Sequence, residues 1–395
     1  MLAKINDIII GRTKVAEDKS KDTPKDPPDE QPPTAGNGTG GCAGEKETNG
    51  KASNEGTLIL DATCAPQNIR FPTDLSLLNE AREKLETTID TLHAAGLTQR
   101  KKPRTYRKCA RRDYLRFARN RKPNQKFLRK SLRKQLGYVA RDLSHVDRIL
   151  AGHPEALGER QMASLQTIRK LYEQQKEMYD KRTHSVADRI VSLKQPHVRP
   201  IVRGKATAPV EFGAKIEVSL VGGYARIEKL SWDAFNEGGT LQDSVERFKA
   251  DMGHYPARIL ADKIFRTREN LDYCKKHHIR MSGPKLGRPP KDKALYREQL
   301  RMEREQSGER SAIEGRFGVG KCRYTLGCIM TCLKHTSEVS IHICVLTMNL
   351  FGKLRLSFAF FCKRLWNKAQ GLFRLYFHVV AYDFIPNPSA CELVQ

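Results

Sequence analysis

Apolar residues at Leu128, Leu132, Leu136, Val139, Leu143, Val146 and Leu150 advance in steps of 4, 4, 3, 4, 3 and 4. That spacing keeps one stripe on a helix and excludes a strand over the same stretch. A second run, Leu165, Ile168, Tyr172, Gln175 and Tyr179, follows a Gly152–Pro154 break. Two such helices joined by a short connection predict an antiparallel helical hairpin, with a dimerising coiled coil as the alternative use of the stripe. From about residue 210 the period changes to two. Ala214, Ile216, Val218 and Leu220 alternate with Lys215, Glu217 and Ser219. Gly222-Gly223 supplies a hairpin turn and Tyr224–Leu230 the return strand.

The remaining elements fall around this change of period. Thr57–Leu60 reads as a buried strand ending at Asp61, and Thr73 or Asp74 can cap a helix carrying Leu78, Leu85, Ile89 and Leu92. A helix fits 241–252, a strand Ala257–Ala261 ends at Asp262, and a helix at 266–276 and a strand at 278–281 follow. The order predicts an α/β fold: a mixed sheet with a large helical insertion after the first strand. Residues 1–55 read as a disordered low-complexity segment, because the stretch from 11 is nearly free of large apolar residues. The folded domain is expected over 56–350, interrupted by a basic helical insertion at 74–185. Residues 351–395 are a C-terminal extension of unknown role. Ile341–Phe361 is apolar but broken by Lys353 and Arg355, so it reads as a core helix with a sticky end and not as a membrane span.

The chain of 395 residues carries a formal charge of +26. Such a surplus points to a polyanionic partner. It is concentrated in Lys101–Lys134, which holds 16 Lys or Arg against the single acid Asp113, with Tyr106, Tyr114, Phe117 and Phe127 interleaved. Cations at that density can neutralise phosphates, and aromatics can pack on bases. Arg111, Arg112, Arg116 and Arg119 are the candidate DNA contacts, although a merely solvated basic face would read the same way. Ten cysteines without regular spacing, and no leader-like opening, indicate reduced thiols and a cytoplasmic chain.

Asp61 and Asp262 each close an apolar strand, where an acid serves either as a turn cap or as a ligand for a divalent cation. Gly315–Cys322 comes close to a phosphate-binding loop. It lacks both the preceding apolar strand and the hydroxyl residue, and is rejected as a nucleotide site. The same stretch places Arg310, Glu314 and Lys321 within about 60° on one helix face, while its glycines favour a helix end before Lys321. Cys328, Cys332, His335, His342 and Cys344 match no usual zinc spacing.

Several of these stretches occur together in a known order. Gly56–Pro66, Ile69–Arg82, Arg189–Ser192, Pro196–Lys205, Val210–Lys215, Leu260–Asn270 and Leu286–Pro289 resemble DDE transposases of bacterial insertion sequences, in the insertion sequence five superfamily. The resemblance implies an RNase H-like core and a metal-dependent enzyme that cleaves and transfers DNA strands at insertion-sequence ends. It implies Asp61, Asp262 and Glu314 as catalytic and metal-binding acids, holding Mg²⁺ with Mn²⁺ as a substitute. Arg310 and Lys321 fall on the family's tyrosine-arginine-glutamate-lysine signature as DNA-binding residues. Ser307 stands where that signature has tyrosine. Partners are then the transposon ends and target DNA, with a homodimer as one arrangement, no membrane, and a nucleoid-associated cytoplasmic location. The family pattern has a helical DNA-binding domain before the first aspartate; the low-complexity sequence there suggests a copy lacking it. The alternative is a non-enzymatic DNA-binding remnant of a decayed transposase.

Overall fold

The computed structural model describes residues 1–9, 54–98, 101–202, 209–284 and 292–383, with side chains placed as far as residue 370. Most of the low-complexity segment, the 203–205 part of Pro196–Lys205, and Leu286–Pro289 lie outside the described residues.

The first nine residues correct the reading of 1–55 as uniformly disordered. Leu2–Ile9 is a helix, α1. A helix this short is marginal alone, and tertiary contacts hold it. Asn6 and Asn349 are both buried and bond each other at 2.8 Å, and both donate to the Ala225 carbonyl.

Strand β1 spans Thr57–Pro66 and is longer than Thr57–Leu60 because its antiparallel partner keeps pairing as far as Pro66 opposite Gly213. Asp61 is therefore inside the strand and not at its end. The chain then leaves the sheet for four helices: α2 (Asp74–Ala94), α3 (Arg107–Ala118), α4 (Gln125–Gly152) and α5 (Glu159–Lys181). Thr73 caps α2 in a reciprocal pair with Ser76. The expected stripe is the core of this insertion: Val139, Val146, Leu165 and Ile168 pack with Leu78, Leu85 and Ile89. The seam is filled within one chain, which uses the stripe intramolecularly. Asp74 at the start of the excursion accepts from Arg189 at its end, at 2.6 Å, so the insertion leaves and returns at one point.

The sheet resumes with β2 (Arg199–Val202), β3 (Val210–Val221) and β4 (Tyr224–Ser231), the last two forming the expected hairpin through Gly222-Gly223. Helix α6 (Leu241–Met252), β5 (Arg258–Leu260), α7 (Arg268–Lys276) and β6 (Arg280–Met281) follow. The strands lie in the order β4, β3, β1, β5, β6, with β2 pairing the first residues of β3. β1 is antiparallel to β3 and parallel to β5. One face, with Ile216 and Val218, packs on Ile313 of α8 (Lys293–Arg323) and on Ile341 and Val345 of α9 (Lys334–Asp383). The other face, with Leu58, Leu60 and Ile259, packs on α6 and α7 through Leu241, Val245 and Cys274.

Helix α9 begins as a core helix and then leaves the body of the protein. Ile341, Cys344, Val345 and Met348 are buried, whereas every residue from Lys353 to Gln370 is exposed, including Phe358, Phe360, Phe361 and Trp366. By length and composition, Lys334–Gln370 is a helix able to cross a membrane. Eight cysteines are described and all are free thiols.

Candidate active-site cleft

A cleft of about 740 Å³ opens where the pairing of β1 with β5 stops. Its lining brings together Asp61, Asp262, Glu314, Arg310 and Lys321, which are separated by up to 260 residues in the chain. Ile59 and Leu260 are register partners on the parallel strands β1 and β5. Asp61 and Asp262 each lie two residues beyond that pair, so both belong to the face covered by α8. Asp262 keeps extended backbone before the Lys263–Phe265 turn.

Each aspartate has one oxygen anchored by the next backbone N–H. Ala62 N donates to Asp61 Oδ1 at 2.8 Å, and Lys263 N donates to Asp262 Oδ1 at 2.7 Å. Asp61 Oδ2 lies 3.8 Å from Arg310 Nη1, and Arg310 Nη2 lies 3.3 Å from Glu314 Oε1. Arg310 thus bridges the strand acid and the helix acid. Burial pushes the Asp61 carboxyl up to about 6; Glu237 and Asp262 act in the same sense, while the Ala62 N–H and Arg310 oppose them.

Helix α8 runs unbroken through Arg323, so Lys321 stays on it despite Gly315, Gly318 and Gly320. This corrects the expectation of an earlier end. Burial of Ile313 and Gly320 against the core holds the helix through its weak residues. It also disposes of the phosphate-binding-loop reading, since Gly315–Cys322 is helical throughout.

Among the described residues, no three His, Cys, Asp or Glu side chains are gathered closely enough to hold a metal ion as they stand. The donors nevertheless suit a hard divalent cation in kind, being carboxylate oxygens on three different elements. Arg310 occupies the position between two of them. Glu314, whose side chain is 55 % exposed, is free to swing once that ion pair opens.

Two further cleft residues are not singled out by sequence reasoning, although Lys215 closes the Val210–Lys215 stretch that carries the resemblance. Glu237 stands at the start of the Glu237–Gly239 turn, and Lys215 on β3 bonds it at 2.8 Å. Lys215 reads as one polar position of an alternating strand, and Glu237 as part of an Asn-Glu-Gly-Gly turn. The turn is pressed against the loop that follows Asp262: a Cβ on Gly238 would lie 2.8 Å from the Ile264 carbonyl oxygen. Buried Asn270 donates to both Gly238 O, at 2.6 Å, and Phe265 O, at 2.8 Å.

Away from the cleft, Arg111, Arg112, Arg116 and Arg119 are all exposed on or just after α3. Two of the four aromatics of the basic stretch are engaged with each other inside the insertion. Phe117 packs on Phe127 with ring centroids 5.7 Å apart, and Tyr106 lies against Arg104 and Arg141. Phe117 and Phe127 are thus taken up by each other, whereas Tyr106 stays exposed and Tyr114 lines a separate surface pocket beside the cationic face.

Fold and cleft together define a mixed α/β protein with an acidic site at a sheet edge, flanked by cations and joined to a basic helical insertion. Residues 259–351 match the family model described as Transposase DDE domain. The match takes in Asp262, Glu314, Arg310 and Lys321; Asp61 and the insertion lie outside it. No curated protein and no solved structure matches the chain.

Proposed function

We propose that the chain is a DDE transposase of the insertion sequence five type, acting on DNA by strand cleavage and strand transfer. The observation that carries this reading is the placement of Asp61 on β1 and Asp262 just past the end of the adjacent parallel strand β5, each two residues beyond the Ile59–Leu260 register pair, with Glu314 lining the same cleft. The central strand order, antiparallel from β4 to β1 and parallel from β1 to β6, is that expected of an RNase H-like core.

Asp61, Asp262 and Glu314 are the residues that would hold Mg²⁺ or Mn²⁺. When bound, such ions lower the pKa of an attacking water or 3′-hydroxyl and stabilise the leaving oxygen. The chain supplies the rest. The Ala62 and Lys263 amides fix the two aspartates, so each presents one oxygen to the cleft. Arg310 neutralises Asp61 and Glu314, and it would hold a phosphate beside the acids together with Lys321 of the same helix. The exposed arginines of α3 grip flanking DNA without reading sequence. A chain with this role would act on the nucleoid in the cytoplasm.

The test is nicking of supercoiled DNA in Mg²⁺ or Mn²⁺. Asp61→Asn, Asp262→Asn and Glu314→Gln should each abolish it and leave DNA binding nearly intact. Full nicking by any of the three would remove that residue from the site. Tight DNA binding by the wild-type chain with no metal-dependent nicking would favour a binding remnant.

A further inference from the structure

Lys215 and Glu237 reach the cleft from the side opposite α8. Lys215 is the register partner of Cys64, three residues along β1 from Asp61, and so belongs to the other face of the sheet. Both side chains nevertheless line the same cleft as Asp61. The ammonium is held rather than mobile. It donates to Glu237 Oε1 at 2.8 Å and to the Phe235 carbonyl at 2.8 Å, over the Phe235 ring at 4.7 Å, and the Lys215 side chain is only 15 % exposed. Those two bonds use two of its three N–H groups.

We propose that Lys215, oriented by Glu237, forms a binding subsite for a backbone phosphate of the DNA strand entering the cleft. This assignment rests on the reading of the cleft as a DNA-processing site. The described lining carries four acids, Asp61, Glu237, Asp262 and Glu314, and three cations, Lys215, Arg310 and Lys321. Arg310 and Lys321 both come from α8. A strand held from that side alone could pivot about its anchor points. A fixed ammonium on the opposite face gives a second hold, which restricts the phosphate to one orientation. Glu237 acts through Lys215 and is a positioning residue. Its turn is itself braced on the loop that carries Asp262.

The test is the salt dependence of binding to one fixed short duplex, in chelator, for the wild type, Lys215→Met and Lys215→Arg, with folding checked by thermal melting. Lys215→Met should reduce the log–log salt slope by about 0.9, the value for one phosphate fewer neutralised, and Lys215→Arg should keep the wild-type slope. A folded Lys215→Met with the wild-type slope overturns the subsite. Glu237→Gln keeps the cation but releases it. Its slope should be unchanged and its metal-dependent nicking at saturating DNA about 10-fold slower. If Lys215→Met does not fold, a wild-type nicking rate for Glu237→Gln overturns the proposal by itself. Nicking by the wild type with an unchanged Lys215→Met slope sinks the subsite alone. A reduced slope with no nicking by any form sinks the transposase reading and leaves the phosphate subsite in place.

Discussion

Asp61 on β1 and Asp262, just past the end of the parallel strand β5, each lie two residues beyond the Ile59–Leu260 register pair, although they are 201 positions apart in the chain. β5 ends as a strand at Leu260 while β1 continues to Pro66, so the two carboxylates face a gap instead of a neighbouring strand. Arg310 reaches into that gap.

The position of Arg310 predicts competition with cations. Arg310→Ala should bind Mn²⁺ about 3- to 10-fold more tightly than the wild type in the absence of DNA, because a unit positive charge between Asp61 and Glu314 is gone. Calorimetric titration with Mn²⁺ checks this. Weaker binding by the variant would mean that Arg310 organises the acids instead of competing for them.

Glu217 predicts a pH dependence of stability separate from catalysis. It is fully buried on β3, with Oε2 lacking a hydrogen-bond partner. Burial pushes its carboxyl up to about 7; Glu228 and Glu237 add to the rise, and Thr240 and Ser244 oppose it. With the folded value above the ordinary 4.5, the protein binds more protons folded than unfolded over that interval. The stability Glu217 contributes is therefore complete below 4.5 and is lost as pH rises through about 7, by at most about 3 kcal/mol. Glu217→Gln should lose less stability than the wild type between about pH 5 and pH 8 in denaturant titrations, since it cannot ionise.

Gly238 joins the Glu237 turn to the Asp262 loop by close approach, with no room for a side chain against the Ile264 carbonyl. Gly238→Ala should cost about 1–3 kcal/mol by forcing the two loops apart. It should also slow metal-dependent nicking about 10- to 100-fold, with the salt slope of DNA binding unchanged. Unaltered stability and nicking would show that the two loops move independently.

The α3 arginines predict a weakening that is blind to sequence. Neutralising Arg111, Arg112, Arg116 and Arg119 together should weaken binding to all duplexes alike. It should also lower the salt slope by about 0.9 for each phosphate that is no longer neutralised. Binding to a terminal-repeat duplex and to a shuffled duplex, across a salt series, measures both. An unchanged slope would make this face a solvated one.

The helices of the insertion, the 214–230 hairpin and the strand leading to Asp262 are local signals, legible because apolar spacing follows the period of the element that buries it. The same holds for Arg310, Glu314 and Lys321, whose spacing places them on one helix face before any partner is known. What spacing cannot carry is which elements become neighbours. The end of α8 is one case: three glycines argue locally for a stop, and burial of Gly320 beside Leu326 and Met348 overrides them. Helix α1 is another, since eight residues acquire a partner only when Asn349 and Ala225 arrive from far along the chain. Asp61 and Asp262 can each be named from their own strand, but their alignment requires the parallel pairing of β1 with β5. Spacing gives Lys215 and Glu237 no role: Lys215 ends a family-like stretch but reads as a polar position of an alternating strand, and Glu237 as part of a glycine turn, until folding brings them into one cleft. Residues a few positions apart are thus enough to define the elements and the candidate acids. The cleft exists only in the folded chain, because its walls come from segments hundreds of residues apart whose meeting no local pattern encodes.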